Sequence, residues 1–68
     1  MTPREIRANL MLKGVKQRDI AAKAEVSEVL VSLIIDGYRN GSKKAQEVKR
    51  VIAEVLDKDE AEIFSSAA

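Results

Sequence analysis

The chain has 68 residues, enough for one small domain, and a chain this short buries only about 60% of the surface its unfolded form exposes. It contains no Cys and no His, which excludes disulfide staples, removes the usual ligands of a structural zinc site and leaves no material for the common acid–base and nucleophilic constellations. The formal net charge is +1, but residues 1–50 carry 11 Lys and Arg against 6 Asp and Glu, while residues 51–68 carry 1 against 5; this reads either as one face suited to an anionic partner or as an ordinary mixed surface.

Thr2-Pro3-Arg4-Glu5 opens the first predicted helix, over 3–12. Thr2 caps, Pro3 suits the first helical position, and Glu5 completes a capping box. Ile6 and Leu10, at i and i+4, point inward, and Gly14 ends the segment. The N-terminus has no long apolar run to make a signal peptide. Elsewhere the longest apolar run is broken by Ser32, far short of the ~20 residues that span a membrane, so a cytoplasmic location is expected.

A second helix is predicted over 17–24 and a third over 28–36. Ile20, Ala21 and Ala24 share one face of the former. Ser27 caps the latter by accepting from its free N–H groups, and Gly37 stops it in the left-handed conformation. On the third helix Val26, Leu30, Val31 and Ile34 form the apolar side, opposite Glu28, Ser32 and Asp36. Tyr38-Arg39-Asn40-Gly41 is a polar loop. Ser42 caps a fourth helix over 43–56, with Ala45, Val48, Ile52 and Val55 as its inward stripe and Leu56 beside it. Asp59 with Glu62 offers another capping box for a short helix over 60–64, where Phe64 is expected to close the core. Residues 1–64 thus form the domain, and 65–68 form a tail with no reason to be ordered. Asp57, Asp59, Glu60 and Glu62 lack calcium-loop spacing and read as capping and solubilising residues. No cofactor is implied.

Gln17, Ala21, Val26, Ser27, Val31, Ser32, Ile34 and Gly37 stand in the pattern Q-x-x-I-A-x-x-x-x-V-S-x-x-x-V-S-x-I-x-x-G. This resembles the lambda-repressor-like (Cro-type) DNA-binding domains, over roughly residues 3 to 64. The stretch VIAEVL followed by AEIFSS is similar to the Ner-like phage regulators among them. The resemblance implies an all-α, compact five-helix, helix-turn-helix domain that is not an enzyme. It implies a phage- or prophage-type transcriptional regulator, such as a repressor, that binds double-stranded DNA as a homodimer with its third helix in the major groove. Two positions depart from the family. Lys16 stands where relatives carry a capping Ser, Thr or Asn, and lysine cannot accept a hydrogen bond; a phosphate can take over that helix start. Glu25 stands where relatives carry Gly because φ is positive.

The DNA-contacting set implied is Gln17, Arg18, Ser27, Glu28, Val29, Ser32, Leu33, Arg39, Asn40, Lys43 and Lys44. The base readers map onto Glu28, Val29, Ser32 and Leu33. Glu28 suits a cytosine amino group, Val29 and Leu33 suit thymine methyls, and Ser32 suits several base edges. Affinity then rests on phosphate contacts from Gln17, Arg18, Arg39, Lys43 and Lys44. Gln17 reads otherwise as a solvated glutamine. Lys43 and Lys44 read otherwise as an exposed pair, although cations in a first helical turn oppose the dipole. Glu28 and Asp36 are expected to repel a DNA backbone placed close to them. A rival reading keeps the fold but makes Val29, Leu33 and Ile35 an exposed apolar strip for a protein partner.

Overall fold

Thr2 starts the chain's first helix as its sequence dictates. Its Oγ1 accepts from the Glu5 N–H at 3.1 Å, and Glu5 Oε1 accepts from the Thr2 N–H at 2.9 Å. The computed structural model describes residues 1–38 and 41–64. Among these it forms five helices and no strand: α1 (Pro3–Leu12), α2 (Gln17–Ala24), α3 (Glu28–Ile35), α4 (Lys43–Leu56) and α5 (Glu60–Phe64). The third helix stops one residue short of the predicted 36, because Asp36 is already its C-cap. Ser27 and Ser42 cap α3 and α4, accepting from the N–H groups of Leu30 and Ala45 at 3.1 and 3.0 Å. The Asp59–Glu62 side-chain box does not form among the described residues; the N–H groups of Glu62 and Ile63 donate to the Asp59 carbonyl instead.

Helices α1 to α4 end the same way. In each, the two residues after the last turn fold back and donate N–H groups to carbonyls within it: Gly14 and Val15 to Met11 and Leu10, Glu25 and Val26 to Ala22 and Ala21, Gly37 and Tyr38 to Ile34 and Leu33, Asp57 and Lys58 to Glu54 and Ala53. This paired closure needs a left-handed residue at the first of the two positions. Gly14 and Gly37 supply it at φ +73° and +89°, but Glu25 and Asp57 supply it at 57° and 55° with a side chain attached.

The core gathers Ile6 and Leu10 of α1, Ile20, Ala21 and Ala24 of α2, Val31, Ile34 and Ile35 of α3, five residues of α4 (Ala45, Val48, Ile52, Ala53 and Leu56), and Ile63 of α5. Helix α4 is its hub, packing on each of the other four. Three residues expected inside are only partly buried, at the rim: Val26, Val55 and Phe64. Val26 lies in the turn between α2 and α3. Val55 loses the inward position to Leu56. Successive residues on a helix point about 100° apart, so the one-turn α5 can send only one of Ile63 and Phe64 inward. Ile63 takes that place, and Phe64 lies under the ammonium of Lys49, 5.4 Å from the ring centre. Among the described residues no helix is long and apolar enough to cross a membrane.

Candidate nucleic-acid interface

Helices α2 and α3 pack on one another and are joined by residues 25–27. The paired closure at Glu25 reverses the chain and Ser27 starts the next helix, so the turn is built from backbone hydrogen bonds and one cap. α3 buries Val31, Ile34 and Ile35 and exposes Glu28 and Val29, the latter 69% accessible. Glu28 occupies the first turn, where a carboxylate also complements the helix dipole. Val29 is thus an apolar side chain held in solvent on the outer face of a short, well-capped helix.

The start of α2 stands beside that face. Gln17 is half-buried and Arg18 exposed, and Gln17, Lys16, Arg7 and Glu28 line one groove together with Leu10, Met11, Gly14 and Val15. Lys16 is the N-cap of α2 without a side-chain hydrogen bond. Asp19 reaches back to accept from the Lys16 N–H at 2.9 Å, which satisfies the backbone of the cap residue itself. The Asp19 N–H donates to the Lys16 carbonyl at 2.9 Å, and among the described residues no side chain caps the helix start, which leaves the N–H groups of Gln17 and Arg18 for an anion.

Of the predicted site residues, Gln17 and Glu28 are therefore brought together, with Val29 on the neighbouring helical position. Ser27 is exposed, and its hydroxyl is engaged as the cap. Lys43 lines a different depression with Gln46, Glu47, Arg50 and Glu60. Lys44 is exposed and lies 3.7 Å from Glu47, one turn along α4. Arg39 and Asn40 lie outside the described residues, as does the tail at 65–68. Tyr38, just past α3, is 78% exposed.

Three expectations are corrected. Ser32 is no free outward reader: it is half-buried, and its Oγ accepts from Arg7 Nη2 at 3.0 Å. Asp36 is no unpaired repelling charge, because Arg7 Nη1 donates to its Oδ1 at 2.7 Å. That hydrogen bond holds the Asp36 carboxyl below the ordinary carboxylate range and pushes the Arg7 guanidinium up. The apolar strip also fails, since Ile35 is 3% exposed and Leu33 half-buried. The core takes Ile34 and Ile35 together, an arc wider than one inward position per turn.

Arg7 is the residue that sequence reasoning missed. It sits one position past the inward Ile6, on the flank of α1, and its two acceptors are four residues apart on α3. That i, i+4 spacing was the available signal, marking Ser32 and Asp36 as acceptors on one face. Nothing local connects them to a donor 25 and 29 positions away. No group of three or more potential metal-ligating side chains occurs among the described residues. No family model, curated protein or solved structure matches the chain.

Proposed function

We propose that this chain is a small sequence-specific DNA-binding transcriptional regulator of phage or prophage type: a lambda-repressor-like helix-turn-helix domain that places α3 in the major groove. The observation that carries the reading is the pairing of α2 and α3 across residues 25–27, with the outer face of α3 exposed at Glu28 and Val29 and its inner face fixed in the core. A major groove admits one helix and rewards side chains that reach base edges from its exposed arc. Beside it, the open N–H groups of α2, with Gln17, Lys16 and Arg18, suit a backbone phosphate. Lys43 and Lys44 open α4 without an acidic neighbour in its first turn and suit another.

With Ser32 engaged, the base-reading set contracts to Glu28, Val29 and the exposed part of Leu33. This favours cytosine amino groups and thymine methyls over guanine. Few base contacts make affinity depend on phosphates and on doubling the site, so the acting species is proposed to be a homodimer on half-sites one helical turn apart.

The test is fluorescence anisotropy on a random duplex at low salt, followed by selection of bound sequences from a random DNA pool. Micromolar binding that weakens steeply with salt is expected, with an enriched sequence in which Glu28→Gln shifts the preferred base at one position per half-site. No binding tighter than about 100 μM, the weak end of non-specific DNA affinity, rejects the reading and returns the exposed Val29 face to a protein partner.

A further inference from the structure

The ends of the Arg7 fork fall on two turns of the same helix. Ser32 and Asp36 are four residues apart, so their side chains stand one above the other on α3, and one guanidinium on α1 donates to both at 3.0 and 2.7 Å. A guanidinium is planar and carries its donors in a fixed fork. An ammonium in its place can hold either acceptor but imposes no common plane on the two. Holding both acceptors at once fixes how far α3 is rolled about its own axis as well as how close it lies to α1. The buried Val31, Ile34 and Ile35 decide which face of α3 turns inward; a directional fork on the flank of that face adds a finer constraint on the remaining few degrees of roll. Asp36 also stands at the C-cap of α3, where the helix dipole disfavours a carboxylate, so the guanidinium offsets a charge that the helix end repels.

We infer that Arg7 is a positioning residue for recognition: through Ser32 and Asp36 it sets the roll of α3, and so the angle at which Glu28 and Val29 meet the base edges. This rests on the DNA-binding reading above. Arg7 itself touches no base in this scheme. A few degrees of roll displace the tip of Glu28 more than its backbone, and a hydrogen bond to a base edge weakens steeply with misalignment. Contacts to phosphates are made largely by long, adaptable lysine and arginine side chains and tolerate the same displacement.

The inference separates from a simpler one in which Arg7 supplies only positive charge. The probes are the duplex enriched from the random pool and a scrambled duplex of the same composition. Each is titrated at several salt concentrations with the wild-type chain, Arg7→Ala and Arg7→Lys. The lysine variant keeps the charge beside Asp36 and loses the fork. The expected result is that the ratio of affinities for enriched over scrambled duplex falls about tenfold in both variants, the size of one lost base contact. The slope of log K against log salt stays at its wild-type value for Arg7→Lys. Arg7 and Asp36 are 35% and 34% exposed, so both variants are expected to melt cooperatively, which circular dichroism checks.

An Arg7→Lys variant with the wild-type ratio overturns the inference in favour of charge alone. Equal loss on both duplexes for Arg7→Ala, with the slope reduced by about one, makes Arg7 a phosphate contact and overturns it as well. A wild-type chain that binds both duplexes equally, or neither, instead rejects the sequence-specific reading on which it stands.

Discussion

Glu25 holds a left-handed backbone conformation, φ 57° and ψ 47°, which costs an L side chain roughly 1–2 kcal/mol relative to glycine. Replacing it with glycine removes that strain but also gives the unfolded chain more freedom to lose. The expected net effect of Glu25→Gly is a gain of roughly 0.5–1 kcal/mol, or about 3–6 °C in Tm for a domain this size. Glu25→Ala should give no such gain, since it removes the charge and keeps the strain; thermal melting of the two variants decides between them. Glu5 and Asp36 are expected to contribute to the acid limb of stability. Glu5 accepts from the Thr2 backbone N–H and also interacts with the Thr2 side chain, and Asp36 accepts from Arg7; both carboxyls titrate below the ordinary range. A carboxyl with a depressed folded pKa stabilises the fold fully above its unfolded value, near pH 4. That stabilisation is lost as pH falls through the folded value. Melting temperature should therefore decline below about pH 4, and less steeply in Glu5→Gln and in Asp36→Asn. Parallel declines in all three chains would show that neither group is linked to folding.

At the level of the elements, the helices were legible because their ends are written locally. Thr2, Ser27 and Ser42 cap, Gly14 and Gly37 stop, and all these signals act within a turn of their own position. The left-handed stop at Asp57 was not legible, because an aspartate in that conformation carries no mark in the sequence. The site was less legible. Gln17, Glu28 and Val29 follow from periodicity, whereas the fates of Ser32, Asp36 and Ile35 depend on which helices lie alongside α3. The polar pairing spans α1 and α3, and the buried arc of α3 is set by packing that no local window contains. The start of α4 is the element whose role binding can test directly. Lys43 and Lys44 stand where the dipole disfavours them, and among the described residues Lys44 pairs with the exposed Glu47; exposed pairs of this kind contribute little and yield to a stronger anion. Replacing both lysines with alanine should weaken binding to every duplex alike and reduce the slope of log K against log salt by roughly two. An unchanged slope would place the start of α4 away from DNA.

For the molecule as a whole, α4 is the helix that every other helix touches, with Ala45, Val48 and Ile52 fully enclosed. A core organised on one central rod has no half that can separate and remain folded. Amide hydrogen exchange reads this directly, since local openings appear as amides with lower opening free energies than the global one. The slowest amides of α2, α3 and α4 should converge on a single free energy, equal to that from denaturant melting. Those of the one-turn α5 should exchange more easily. Slow amides of α2 and α3 that opened well below those of α4 would reveal a separable recognition unit and refute the single-rod picture. Where they coincide, α3 does not open as a unit short of the whole molecule coming apart, and adaptation to a partner is left to side chains, to a few degrees of helix roll and to the partner's own bending.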